Sequence, residues 1–188
     1  MKEAQVLLER ALEREAAAQR LLIAGEGDAA ARAYREVADL YRRSWAEAHE
    51  GAYGRLAGML KAAILAGGGD EAAAYARKEI PRAESAASAW VLALAALIAG
   101  DDREARAAAR TMAEGGDAFS RTAEAVAALA ALDGDRYERA LEAIVEDFER
   151  REDHLTGVPI ADTAVVLERL AERRGIPARP RSALVPNP

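Results

Sequence analysis

The chain has 188 residues, 51% hydrophobic and 31% charged, a balance that suits one folded domain and excludes a disordered chain. Its net charge of −6 comes with no basic stripe, only the pairs Arg42-Arg43, Arg150-Arg151 and Arg173-Arg174 among acids, so nucleic acid is not an expected partner. The absence of cysteine excludes disulfides, thiolate catalysis and cysteine-held metals, and suits a reducing cytoplasm, the compartment expected.

Alanine and leucine dominate the apolar content, aromatics are 5%, and β-branched alternation is missing, so the predicted class is all-α. The opening MKEAQVLLERALERE is charged throughout and has no signal-peptide core. In chain order, about nine helices are predicted, over 3–24, 29–48, 52–66, 71–80, 85–99, 103–114, 118–132, 136–152 and 160–174. Apolar residues recur at helical period as Tyr34, Val37, Tyr41 and Trp45, then Tyr53, Leu56, Leu60 and Ile64, then Tyr137, Leu141, Ile144 and Phe148. Gly51 is expected to end the second helix, and Gly54 and Gly58 to let the third approach a neighbour closely. The segment 85–99 is apolar almost all round and should be the central helix; its apolar run is far short of the ~20 residues a membrane span needs. Pro81 should stop the fourth helix, Pro159 should open the ninth, and Gly175 should close it. A helical domain over 1–175 is thus followed by a Pro-rich tail over 176–188, either free or strapped across the last helices by Ile176, Leu184 and Val185.

A turn signal recurs. Apolar runs break at Gly25, Gly67, Gly100 and Gly134, separated by 42, 33 and 34 residues, and aspartate follows each glycine closely. Glycine takes the left-handed conformation that ends a helix, and aspartate caps the next one. Asp101 with Glu104, and Asp135 with Glu138, have capping-box spacing. The last two intervals match the period of about 34 residues of tetratricopeptide arrays. With small residues at Ala105 and Ala140, the segment 85–152 resembles a degenerate tetratricopeptide repeat. That resemblance implies antiparallel hairpins stacked as an α-solenoid that binds a protein or peptide. A weaker likeness, carried by SAWVLALAALIAGD and LERLAERRGIPARPRSALVP, is to all-helical immunity proteins of bacterial polymorphic-toxin systems. It implies neutralisation of a cognate toxin by direct binding.

Chemical motifs are sparse. Two histidines, His49 and His154, each sit beside acids, without zincin or di-iron spacing, and no serine lies in a nucleophile elbow. AGGGDEAAA lacks the lysine and hydroxyl of a phosphate loop. No catalysis, metal or cofactor is expected. Two regions are candidate binding surfaces. One is Trp45, His49, Tyr53 and Arg55, where Trp45 fits either the core stripe or an exposed hot spot. The other is the corner DFERREDHLTGVPIADT, with Arg151, Asp153, His154 and Asp162, read either as a hydrogen-bonded brace or as a recognition loop. The expectation is a non-catalytic, protein-binding helical module; the alternatives are an immunity protein and a small-molecule or metal site at the histidine loops.

Overall fold

The computed structural model describes residues 2–186, and among them the chain forms nine α-helices and no strand. They are α1 (Lys2–Ile23), α2 (Gly27–Ala46), α3 (Tyr53–Leu65), α4 (Asp70–Glu79), α5 (Ala86–Ala99), α6 (Asp102–Met112), α7 (Asp117–Ala131), α8 (Gly134–Glu149) and α9 (Asp162–Arg173). Each end falls within three residues of its expected position. The apolar stripes are what bury: Tyr34, Val37 and Tyr41 on α2, Leu56, Leu60 and Ile64 on α3, and Tyr137, Leu141, Ile144 and Phe148 on α8. Helix α5 has no polar face, and its buried run from Val91 to Leu97 is surrounded by α3, α4, α6 and α7. Alanine at many contact positions sets these helices close together, since interaxial distance follows side-chain size.

Every consecutive pair of helices packs together. Beyond these pairs, α3 touches α5, α5 touches α7, α7 touches α9, and α9 returns to α3. Four inner helices therefore make a closed circuit of contacts, with α4, α6 and α8 each bridging two of them. Arginines at the end of α9 pin the closure. Arg173 donates to the carbonyls of Ile64 and Gly68 at 3.0 Å each, and Arg174 donates to Leu129 O at 3.2 Å and pairs with Asp102. Exposed carbonyls at a helix C-terminus carry partial negative charge, and guanidinium donors satisfy them.

The turn chemistry holds in part. Gly25, Gly67 and Gly100 are left-handed, with φ of 75°, 87° and 72°. Asp101 accepts the Glu104 N–H at 3.0 Å, but the Glu104 carboxylate turns away to Arg77, so the capping box is only half made. At the fourth turn the expected register is wrong. Leu132, not Gly134, takes the left-handed position (φ 55°), Asp133 caps by accepting the Arg136 N–H at 3.0 Å, and Gly134 is already helical. The helix ends where the Asp133 N–H reaches back to Ala128 O at 3.0 Å and the Leu132 N–H to Leu129 O at 3.1 Å, bonds that hold Leu132 left-handed with its side chain exposed. Asp135 accordingly sits inside the first turn and is not a cap.

Gly51 is left-handed but lies in the α2–α3 loop, because α2 already stops at Ala46. Gly58 does serve a close crossing: a Cβ there would lie 2.7–2.8 Å from the Tyr41 ring, whereas Gly54 faces open space. Pro81 follows the end of α4 as expected, but Pro159 stands outside α9, which begins at Asp162 after an irregular approach. That approach is held by the tail, where the Ala161 N–H donates to Leu184 O at 2.8 Å. The tail is a strap through Pro186: the buried carboxylate of Glu168 accepts the N–H groups of Ala178 (3.2 Å) and Arg179 (2.6 Å), and Val185 is buried. The last two residues of the predicted tail lie outside the described residues.

Candidate functional site

A cavity of about 310 Å³ opens where α1, α3, α5, α7, α8 and the start of α9 converge, bordered by the loop from 150 to 161. Its most buried wall is polar. The buried stripe of α1 runs Ala4, Leu7, Ala11, Ala18 and Leu22, and Glu15 sits on that stripe, so the helix delivers a carboxylate into the interior at 5% exposure. Tyr41 of α2 donates its hydroxyl to Glu15 Oε2 at 2.6 Å. Lys61 of α3 reaches the carboxylate of Asp162, the first residue of α9, in a pair largely shielded from solvent. Gln19, also buried, accepts the Thr156 hydroxyl from the loop, which ties α1 to the corner. The fully buried Tyr34 hydroxyl has no hydrogen-bond partner among the described residues.

Electrostatics follow from this packing. Burial raises the Glu15 carboxyl above its ordinary 4.5, with Lys61 and the Tyr41 bond pulling the other way. Burial works to lower Lys61, but Asp162 and Glu15 outweigh it and leave the ammonium held above its ordinary 10.5. Burial, reinforced by Glu15, also pushes the Tyr34 and Tyr41 hydroxyls up, so both remain neutral donors. A lysine held as ammonium is the reverse of what an amine nucleophile requires.

The walls are apolar, formed by Trp90, Phe119, Ile144, Phe148, Val158 and Ile160. At the rim, Asp147 receives two guanidinium groups. Arg121 Nη2 donates to Oδ1 at 2.6 Å, and Arg151 donates through Nε (3.2 Å) and Nη2 (2.6 Å) to Oδ2. The Arg151 bond does most to hold the Asp147 carboxyl below its ordinary 3.8; desolvation opposes it, and the charges of Arg121, Arg151 and Arg150 add smaller lowering effects. Arg151 also lies 3.8 Å over the Phe148 ring, and the His154 ring stacks on the same phenyl at 6.4 Å between centroids. His154 Nδ1 is buried without a hydrogen-bond partner among the described residues.

Of the eight candidate residues from the sequence, Arg151, His154 and Asp162 line this cavity. Asp153 is exposed on the same loop and is not part of the lining. Trp45, His49 and Tyr53 line a separate hollow with Glu79 and Arg82, so the two histidines do not meet. Trp45 is half-buried, stacks on Tyr53 at 6.0 Å between centroids, and donates to Glu79 Oε2 at 3.0 Å. Arg55 lies outside that hollow: it donates to Ser44 Oγ at 2.8 Å, and Ser44 donates in turn to Ala4 O. Arg55 therefore braces α1 against α2 and α3.

Sequence reasoning missed Glu15, Lys61, Arg121 and Trp90 as site residues, and it included Asp147 only as the first residue of the corner stretch, without a role. A signal existed for two of them. Glu15 breaks an apolar stripe, and Lys61 is a lone charge in LAGMLKAAIL. Among the described residues, no group of three or more His, Asp or Glu is placed to hold a metal ion, and no helix is long and apolar enough to cross a membrane. Comparison of the chain with protein-family models, with curated proteins and with solved structures finds no match.

Proposed function

We propose that this chain is a non-catalytic binding protein whose ligand is a small organic molecule held in the cavity between α1, α3, α7, α8 and α9. One observation carries the reading. A cavity of about 310 Å³, walled by aromatic and aliphatic side chains, has the buried Glu15 and Gln19 of α1 and the largely shielded Lys61–Asp162 pair of α3 and α9 in its lining. Pockets that bind small molecules start at about 300 Å³ and share this lining, mostly apolar with a few fixed polar groups. The two tryptophans provide the test, because Trp90 lines the cavity and Trp45 lines the other hollow. Titrating ¹⁵N-labelled protein with water-soluble aromatic acids, alcohols and amines should move the Trp90 indole N–H signal and leave that of Trp45 in place. If no compound moves Trp90 in preference to Trp45, the reading is wrong.

A second reading, a protein or peptide partner, is supported by Leu155, 78% exposed on the loop at the cavity mouth, and by the Trp45–Tyr53 stack. Tetratricopeptide-like stacking belongs to this reading. The successive contacts of α3 with α5 and α5 with α7 support it, although the return of α9 to α3 closes an array that would otherwise stay open. Leu155→Asp and Trp45→Ala should then each weaken a partner captured by the unmodified chain. Neutralisation of a toxin is the narrower form, and growth rescue on co-expression with a neighbouring toxin gene would single it out.

A further inference from the structure

We infer that the ligand of this cavity is an organic anion, a small carboxylate with a compact aromatic or branched aliphatic body; the inference rests on the small-molecule reading above. The charges at the rim do not balance. Asp147 is the one carboxylate that both Arg121 and Arg151 bond, so the pair keeps an excess of positive charge. Arg121 commits one N–H to that carboxylate and Arg151 commits two, out of five on each guanidinium. Deeper in, Lys61 and Asp162 neutralise each other, which leaves Glu15 as an acceptor facing Lys61 and the Tyr41 hydroxyl. Across the whole lining three cations meet three carboxylates, so the positive excess is local: it sits at the rim, beside apolar walls, while the Glu15 carboxyl lies at the deep end.

The geometry fixes the orientation of the guest. Its carboxylate accepts the spare N–H groups of Arg121 and Arg151, bonds that are stronger and more directional than neutral ones. The body of the guest then lies against Trp90, Phe119, Ile144 and Phe148. An amine in the same pose would face two guanidinium groups.

The test uses three probes with one body: 3-phenylpropionate, 3-phenylpropan-1-ol and 3-phenylpropylamine. Each is titrated into the full chain while the Trp90 indole N–H signal is followed, with Trp45 as internal reference. The acid should bind at least tenfold more tightly than the alcohol, and the amine most weakly. Sodium chloride should weaken the acid and leave the alcohol unchanged, a comparison that needs no variant. Arg121→Gln and Arg151→Gln should each shrink the acid's advantage over the alcohol, measured as the ratio of their affinities for the same variant, toward one. Acetate, which lacks the body, should leave Trp90 unmoved at concentrations where the acid saturates. Equal binding of acid and alcohol, or tightest binding by the amine, overturns the anion assignment while the cavity still binds. A response to acetate equal to that of the acid overturns the requirement for a body. Silence of Trp90 toward all three probes removes the underlying reading as well.

Discussion

Replacing Lys61 by methionine probes the polar wall of the cavity directly. Lys61 and Asp162 have side-chain exposures of 15% and 19%, so neither is well hydrated, and Glu15 lies close enough to feel the ammonium. Removing the cation leaves two carboxylates in an interior that has lost its compensating charge. Breaking a buried pair from one side costs about 3–5 kcal/mol, a large share of the about 5–15 kcal/mol that a domain has. For a chain of this size each kcal/mol moves the melting temperature by about 2–4 °C, so Lys61→Met should melt about 6–20 °C lower. The double variant Lys61→Met with Asp162→Asn removes both charges and should recover more than half of that loss, since a neutral replacement avoids the stranded charge. The loss should also depend on pH with a definite sign. Lys61 has a raised folded-state value, so its contribution is complete below 10.5 and fades only above it. Glu15, also raised, favours folding while protonated and loses that contribution as pH rises through its folded value. Without Lys61 that value moves further up, and the cost of the variant should be smaller at pH 5 than at pH 8. Urea titrations of the three proteins at both pH values measure this. A single-variant cost below about 1 kcal/mol, or a double variant no better than the single, would refute the buried-pair account.

Three further outcomes follow from contacts elsewhere. Glu168→Ala removes the acceptor of the fully buried Tyr137 hydroxyl (3.1 Å) and of two strap N–H groups; it should cost about 2–4 kcal/mol in urea unfolding and speed amide exchange at Ala178 and Arg179. Gly58→Ala puts a methyl within 2.8 Å of a Tyr41 ring already anchored to Glu15, and overpacking of this kind should cost about 1–3 kcal/mol by the same assay. Asp147 has a folded-state value below its ordinary 3.8, so its contribution is present above that value and is lost as pH falls through the lowered one; Asp147→Asn should flatten the acid limb of a stability–pH profile below about pH 4.

How far the sequence reached depended on whether the relevant contact is local in the chain. Helices are local, and their stripes were readable because alanine, leucine and the large apolar residues recur every three or four positions on one face. The half-made cap at Asp101 shows where that ends: the spacing to Glu104 is right, but Arg77, on another helix, draws the carboxylate away. At the fourth turn a local rule failed locally, because glycine was given the left-handed position that the last backbone bonds of α7 assign to Leu132. The cavity draws its lining from six helices and the corner loop, and of the candidate residues only those clustered at that corner, Arg151, His154 and Asp162, belong to it. Their neighbours by space, Arg121 and Asp147, look like ordinary exposed charges on amphipathic helices until α7 and α8 are packed. Glu15 differs from these. A carboxylate placed four residues after Ala11 and three before Ala18 cannot avoid the interior if the stripe is buried, and burial without partners would be costly. Its presence there requires partners from elsewhere in the fold: the Tyr41 hydroxyl supplies the hydrogen bond and the Lys61 ammonium a nearby positive charge. A polar residue that interrupts an apolar stripe thus carries long-range information that neither period nor propensity contains, and in this chain it points to the cavity.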